Sequence, residues 1–115
     1  MYFIGIAKDI HRLKHAKTNN VLGGYEFKSN HRIIAVSDGD VILHALADAI
    51  LGASQNGDIG MYFHDNCPRC KNLDSKKILV KAISLAKALD ILKYPALTTK
   101  LYTLCLITNE VVETF

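Results

Sequence analysis

An aspartate–histidine pair near the start of the chain and a histidine further along are residue types that bind metal ions. Asp9 and His11 are separated by one residue, so on an extended segment both side chains point to the same face. His44 adds a second imidazole from a predicted helix. One carboxylate and two imidazoles suit zinc or another divalent cation and leave a fourth tetrahedral position for water or a phosphate oxygen. This ligand count is typical of a catalytic metal site.

His44 lies between two aspartates, Asp40 and Asp48, each about one helical turn away. Either carboxylate is predicted to accept a hydrogen bond from the imidazole nitrogen that does not face the metal, which would fix the tautomer of the ring. The alternative is that the Asp-x-His pair arises by chance and that His44 forms only a local ion pair. The residue types and spacing alone leave both interpretations open.

Apolar, β-prone residues fill the segment Tyr2–Ala7, which runs directly into the Asp-x-His pair. The first strand is therefore predicted to carry the two ligands at its end. Two further short strands are predicted at residues 25–27 and 33–36, with a turn at 29–31 between them. Additional turn signals are the Asn and Gly pairs at 19–20 and 23–24.

Two helices are predicted from their apolar periodicity. The first runs over residues 40–54 with Ser37 as its N-cap, and it is mostly buried because apolar residues cover much of its circumference. The second runs over 75–92 with Ser75 as its cap, and a closing strand follows at 101–107. The glycine-rich loop at 57–60 between the helices suits a close approach of backbone to a ligand.

The composition favours a globular protein with one domain, over residues 1–115. Half of the 115 residues are hydrophobic, which argues against a disordered chain. The formal charge of +3 is spread along the sequence without a basic block, so no nucleic-acid partner is predicted. No apolar run approaches the roughly 20 residues that span a membrane, and an odd count of cysteines favours a reducing compartment. We therefore expect a cytoplasmic protein, or one of the plastid stroma in a plastid-bearing organism.

Residues 37–53 form a continuous stretch that reads Ser-Asp-Gly-Asp-Val-Ile-Leu-His-Ala-Leu-Ala-Asp-Ala-Ile-Leu-Gly-Ala, and Gly-Asp-Ile-Gly follows at 57–60. Together with the motif Asp9-Ile10-His11-Arg12, this stretch resembles the 2-C-methyl-D-erythritol 2,4-cyclodiphosphate synthase family. The resemblance implies an α/β fold, an α-β sandwich in which a mixed sheet is packed by two main helices. It also implies a homotrimer with the site between adjacent subunits.

The activity implied by this resemblance is that of a metal-dependent phosphorus-oxygen lyase of the non-mevalonate isoprenoid pathway. The substrate would be 4-diphosphocytidyl-2-C-methyl-D-erythritol 2-phosphate, converted to the cyclodiphosphate with release of CMP. Zinc would lie on Asp9, His11 and His44, and magnesium or manganese would bind with the substrate diphosphate. The implied substrate-binding residues are Asp9, Ile10, His11, Val36, Ser37, Asp58, Gly60, Phe63 and Asp65.

Two departures from the family pattern leave a second interpretation open. The family has a histidine immediately before its Ser-Asp-Gly-Asp, where this chain has Val36, a side chain that can neither donate a hydrogen bond nor carry charge. The chain is also C-terminally short relative to the family. The catalytic residue is therefore unassigned, and the alternative is a degenerate, non-catalytic homologue that binds metal or serves in assembly.

The motif Cys67-Pro68-Arg69-Cys70 is a second arrangement of reactive side chains. A C-x-x-C pair is half of a structural zinc site or a redox pair. The zinc interpretation needs two further ligands, for which His64 and Cys105 are the candidates. Since the family has an acidic and an aromatic residue at the two cysteine positions, the sequence favours a chance pair.

Overall fold

The structure is a computed structural model that describes residues 2–64, 66–93 and 100–105. Two long helices and four strands lie in these ranges, together with two single 3-10 turns that connect the helices. In chain order the elements are β1 (Tyr2–Ala7), β2 (Arg12–Leu22), β3 (Tyr25–Ile34), α1 (Val41–Ala53), the 3-10 turns Ile59–Met61 and Pro68–Cys70, α2 (Ser75–Lys93) and β4 (Lys100–Cys105). Among the described residues no helix is both long and apolar enough to cross a bilayer.

The strands pair in two separate two-stranded sheets. β1 pairs with β4 in parallel, from Tyr2 opposite Lys100 to Ala7 opposite Cys105. β2 and β3 form an antiparallel hairpin closed by Gly23 and Gly24, whose φ angles of 61° and 79° are in the region that favours glycine. An α/β fold is confirmed, but the prediction of one mixed sheet is wrong for the described residues. A tight turn gives β2 a local partner, whereas β1 pairs with a strand beyond both helices.

The hairpin is longer and more regular than the sequence predicted. Residues 19–20 and 29–31 lie within β2 and β3 rather than in turns, and β3 ends at Ile34 instead of Val36. Asn20 explains part of this difference, because its side chain bonds across to β3 instead of closing a turn. Its amide donates to the His31 carbonyl over 2.6 Å and accepts from the Ile33 N–H over 3.2 Å.

Both predicted helices are confirmed, but the cap of the first is a different residue. Asp40, and not Ser37, is the N-cap of α1, since its carboxylate accepts the Leu43 N–H over 3.1 Å. The same carboxylate accepts the N–H groups of Gly23 and Gly24 over 2.8 and 2.7 Å. The cap therefore also fixes the hairpin turn against the start of α1. Ser75 is the first residue of α2.

Helix α1 packs against α2 and against the β1–β4 pair. Gly5 of β1 lies so close that a Cβ there would be 1.8 Å from the Ala49 carbonyl oxygen of α1. Leu51 of α1, only 2 % exposed, lies between the two helices. Burying a side chain to this degree stabilises the folded chain by about 1.5–3 kcal/mol. These contacts fix the position of α1, which carries His44. The buried cluster between the helices contains Ala47, Ile50, Leu51, Ile78, Ala82 and Ala86.

Candidate metal centre and cavity

Asp9, His11 and His44 converge on one point. The first two lie in the connection between β1 and β2, just beyond the predicted end of the first strand, and His44 comes from the first turns of α1. Asp9 Oδ2 is 3.2 Å from His44 Nδ1 and 3.6 Å from His11 Nε2, and the three ligand atoms lie within 4.8 Å of one another. The structure thus brings together the three side chains that the sequence grouped.

The orientation of His11 leaves one ring nitrogen available. Its Nδ1 lies 2.8 Å from the Ile10 carbonyl oxygen and donates its proton there, so the lone pair is on Nε2. That Nε2 is buried and has no hydrogen-bond partner among the described residues. A buried polar atom without a partner costs about 1–3 kcal/mol, and a cation at the convergence point would remove this cost.

A chain of hydrogen bonds sets the tautomer of His44. The Ser75 hydroxyl donates to the Asp38 carboxylate, and the Ser75 N–H donates to the other oxygen of that carboxylate over 2.9 Å. Because its single proton is committed to Asp38, the Ser75 oxygen accepts from His44 Nε2, which lies 2.8 Å away. The Ser37 hydroxyl is 3.2 Å from the same nitrogen. The lone pair of His44 is therefore on Nδ1, which faces Asp9.

The prediction that Asp40 or Asp48 supports His44 is wrong. Asp40 caps α1 and holds the hairpin turn, as described above. Asp48 accepts the Ile59 N–H over 2.7 Å. Burial raises the pKa of the Asp48 carboxyl, although the hydrogen bond from Ile59 lowers it in part. Both carboxylates lie one helical turn from His44 in the sequence, but in the structure they accept hydrogen bonds from backbone N–H groups instead.

Asp38 and Ser75 are the site residues that sequence reasoning missed. The sequence assigned both to helix starts, and Ser75 is 31 residues from His44. No motif spacing marks such a contact, since it depends on how α2 docks against α1. Ser75 is nevertheless fully buried, and buried hydroxyl groups in proteins have partners.

The donor set fits a divalent cation. Two imidazole lone pairs and a carboxylate oxygen face a common point, and each imidazole donates its remaining ring proton elsewhere, as metal-ligating histidines do. Ligand atoms around tetrahedral zinc lie about 3.3 Å apart, given metal–ligand bonds of 2.0–2.1 Å. The separations of 3.2 and 3.6 Å from Asp9 to the two histidines are close to that value.

A cavity of about 580 Å³ opens beside these ligands, a size typical of sites for small molecules. Val36, 38 % exposed, lies on its wall, so this apolar side chain faces the cavity. The residues predicted from the sequence that line it are Asp9, Ile10, His11, Val36, Ser37, His44, Gly60 and Phe63. The lining residues that the sequence did not single out for substrate are Ile34, Ala35, Ile59, His64, Cys70, Leu73 and Ile78.

Among the described residues, one predicted substrate-binding residue, Asp58, does not appear in this lining. Asp58 is exposed and caps the 3-10 turn Ile59–Met61, where its carboxylate accepts the Met61 N–H over 3.1 Å. It lies next to Gly60, which does line the cavity. Asp65 lies outside the described residues.

Comparison with known proteins identifies the family. A family model described as the YgbB family matches residues 2–94. The chain belongs to the YgbB family. Curated relatives of this YgbB chain are named 2-C-methyl-D-erythritol 2,4-cyclodiphosphate synthase, which confirms the resemblance found in the sequence. The relative from Leptospira borgpetersenii is 51% identical over 88 residues, covering 76% of this chain and 55% of its own. The relative from Mycoplasmoides gallisepticum is 49% identical over 89 residues, which cover 76% of this chain and 57% of the relative.

Solved structures of the same kind share the fold. A 2C-methyl-D-erythritol-2,4-cyclodiphosphate synthase is 41% identical, with a TM-score of 0.60 over 68% of this chain and 51% of its own. The bifunctional IspDF from Campylobacter jejuni is 35% identical, with a TM-score of 0.66, and the match covers 74% of this chain and 23% of that protein. This YgbB chain thus spans about 55% of the length of the curated relatives that it matches.

Proposed function

We propose that this YgbB-family chain carries the metal-holding part of a 2-C-methyl-D-erythritol 2,4-cyclodiphosphate synthase site. Its substrate would be 4-diphosphocytidyl-2-C-methyl-D-erythritol 2-phosphate, and its products the cyclodiphosphate and CMP. The convergence of Asp9, His11 and His44 beside a cavity is the observation that supports this proposal. The names of the curated relatives supply the product, 2-C-methyl-D-erythritol 2,4-cyclodiphosphate.

The proposed reaction is an internal phosphoryl transfer. An oxygen of the 2-phosphate forms a bond to the diphosphate phosphorus that is attached to the methylerythritol, the bond from this phosphorus to the bridging oxygen breaks, and CMP leaves with the bridging oxygen. A divalent cation, when bound, would neutralise charge on the diphosphate and align it. The protein holds the reacting groups close together, which supplies much of the acceleration in such reactions.

The chain's own residues would position the substrate. Asp9, His11 and His44 would hold zinc or another divalent ion, and magnesium or manganese would bind together with the diphosphate. The Ser37 hydroxyl and the backbone at Gly60, both on the cavity wall, would contact the methylerythritol phosphate end. We include in the proposal that Ile10, Val36, Asp58, Phe63 and Asp65 take part in binding this end.

The setting of this reaction is part of the same proposal. We propose a homotrimer with the site completed by an adjacent subunit, located in the cytoplasm or the plastid stroma. Neither a nucleic acid nor a membrane takes part in this reaction.

The test is CMP release by the purified chain supplied with zinc, magnesium and the cytidylyl substrate. We expect CMP and the cyclodiphosphate in equal amounts, measured by chromatography and phosphorus NMR. His44→Ala should reduce the rate by more than about a hundredfold, because it removes a ligand and not merely its support. His15→Ala, which changes an exposed histidine of the hairpin, is the matched control and should leave the rate unchanged. CMP release that persists at the same rate in His44→Ala would contradict the proposal.

Val36 favours one alternative function, a non-catalytic homologue that retains the metal site. Its apolar side chain faces the cavity, at the position where the sequence resemblance implies a histidine in the family. Stoichiometric zinc binding without any CMP release would select this alternative. A gain of activity in Val36→His would show that the valine alone blocks turnover and would restore the enzyme assignment.

A further inference from the structure

The two cysteines of the Cys67-Pro68-Arg69-Cys70 motif lie at the start and end of a single turn. Cys67 precedes the 3-10 turn Pro68–Cys70, and its carbonyl accepts the Cys70 N–H over 3.0 Å. Residues related by this i to i+3 bond have Cα atoms less than about 7 Å apart. Disulfide-linked cysteines have Cα separations of about 4.4–6.8 Å, so the backbone of the turn suits a bond between the two sulfur atoms.

Both cysteines are free thiols in the structure, and they differ in access. Cys70 is 6 % exposed and lines the cavity, whereas Cys67 is half-buried. Cys67 makes no side-chain hydrogen bond as a cap of the turn. The described side chains add no third metal ligand to this pair, so the zinc interpretation of the motif gains no support.

The contact between the thiols makes them chemically unequal. The neighbouring Cys70 thiol lowers the pKa of the Cys67 thiol, and the nearby Arg69 lowers it further. The same contact, together with burial, raises the pKa of the Cys70 thiol to about 11. The more accessible sulfur is therefore also the better thiolate.

The side chains around the pair favour an anionic reaction partner. Arg69 lies between the cysteines and Lys71 follows directly, and both are exposed. Positive charge beside a thiolate raises the local concentration of anionic reagents. Glutathione disulfide is anionic at neutral pH and belongs to the low-molecular-weight disulfides that exchange with protein thiolates.

We propose that Cys67 and Cys70 form a reversible dithiol–disulfide centre at the wall of the cavity, oxidised by an anionic low-molecular-weight disulfide. Cys67 is the attacking thiol and Cys70 the resolving thiol. This proposal does not depend on the proposed function, because it rests on the turn and on the two sulfur atoms.

The exchange proceeds in two steps that balance. The Cys67 thiolate attacks one sulfur of the reagent, a bond forms to Cys67, and the first reagent thiolate leaves with the electron pair of the broken S–S bond. Cys70 then loses its proton and attacks the Cys67 sulfur, expelling the second reagent thiolate. The two protein thiols are oxidised by two electrons, and the reagent is reduced to two thiols.

The test uses the full chain, reduced and then incubated with glutathione disulfide. Samples are quenched in acid, alkylated and digested with trypsin, which cleaves between Arg69 and Cys70. A disulfide keeps the dipeptide Cys70-Lys71 attached to the peptide of residues 33–69, and reduction releases it. We expect the intact chain to become two hydrogens lighter, the attached dipeptide to appear in the mass spectrum, and dithiothreitol to reverse both changes.

Two variants and the unfolded chain test whether the fold, and not only the closeness of two cysteines in the sequence, makes the pair reactive. Cys70→Ser should accumulate a glutathione adduct on Cys67, and Cys67→Ser should react more slowly. The folded wild-type chain should react several-fold faster than the same chain in urea, because the fold supplies the thiol contact and charges. This comparison needs no variant, so it remains decisive if a variant fails to fold. Equal rates in the folded and unfolded chain, or adducts on Cys67 that never resolve, would overturn the proposal.

Discussion

The relation between Ser75 and His44 shows how one buried hydroxyl determines what an imidazole can bind. A neutral histidine has one protonated nitrogen and one lone pair, and either arrangement is possible in isolation. Ser75 gives its proton to Asp38 and so accepts one from His44 Nε2. This places the lone pair on the nitrogen that faces Asp9. Ser75 thus leaves His44 with the lone pair orientation that a metal ligand would need.

Ser75→Ala is expected to weaken zinc binding by about tenfold or more, because partners that orient metal-ligating histidines are worth about 10–100-fold in affinity. The substitution removes the acceptor at His44 Nε2 and leaves the Asp38 carboxylate without the Ser75 hydroxyl. Competition with a chromophoric chelator measures the affinity. Ser84→Ala changes an exposed serine of the same helix and should leave the affinity unchanged. Equal affinity in the wild type and Ser75→Ala would show that His44 needs no such support.

The raised pKa of the Asp48 carboxyl predicts that the stability of the fold depends on pH. Burial raises the pKa of its carboxyl, and the charges of Asp58 and Asp9 add to this, whereas the Ile59 N–H and His44 lower it. The folded chain therefore keeps this proton at a pH where the unfolded chain releases it, so the contribution of Asp48 to stability falls as pH rises from about 4 through the raised pKa.

Asp48→Asn should remove this pH-dependent loss while its amide oxygen still accepts the Ile59 N–H. The free energy of unfolding of the variant, relative to that of the wild type, should rise with pH across this window. Urea denaturation at a series of pH values measures the difference. Asp74→Asn, which changes an exposed carboxylate, should give no such trend. A difference between Asp48→Asn and the wild type that stays flat with pH would refute the assignment.

At the scale of elements, the Asp40 carboxylate joins the hairpin to α1. It accepts N–H groups from Leu43 of the helix and from both glycines of the hairpin turn, and it is fully buried. Asp40→Ala should lower the free energy of unfolding by about 2 kcal/mol, since a lost cap costs about 0.5–2 kcal/mol and each of the two partly buried hydrogen bonds to the turn contributes about 0.5–1.5. Urea denaturation measures this.

Asp74→Ala is the matched control for Asp40→Ala. Asp74 is an exposed aspartate at the start of α2, and its carboxylate accepts only the Lys76 N–H among the described hydrogen bonds. Its loss should cost no more than about 1 kcal/mol. If both substitutions cost the same, the hairpin is not held through Asp40.

Elements with a local sequence pattern were predicted correctly, whereas features that depend on a residue distant in the sequence were not. Strand β1 and both helices follow from runs of apolar residues and were predicted at close to their observed bounds. The hairpin was missed because Asn and Ser residues are common in turns, whereas here Asn20 bonds across the hairpin to its partner strand. The candidate ligands Asp9, His11 and His44 carry recognisable spacing, but Asp38 and Ser75 meet only after α2 docks.

At the scale of the whole molecule, the candidate metal centre connects three parts of the chain. Asp9 and His11 come from the connection after β1, His44 comes from α1, and Ser75 joins the first turn of α2 to the same imidazole. A cation bound there would hold these parts together in the folded state only. Unfolding separates the ligands, so metal binding and folding are linked.

Zinc is therefore expected to raise the thermal midpoint of the chain, because a ligand at a hundred times its dissociation constant stabilises the folded state by about 2.7 kcal/mol. The measurement is best made in a Cys67→Ser/Cys70→Ser background, since the thiols would otherwise bind zinc in the unfolded chain as well. Asp9→Asn and His44→Ala in that background should abolish most of the shift, while His15→Ala should keep it. An equal rise in all four chains would place the zinc elsewhere, and no rise in any of them would mean that the three side chains do not form a metal site.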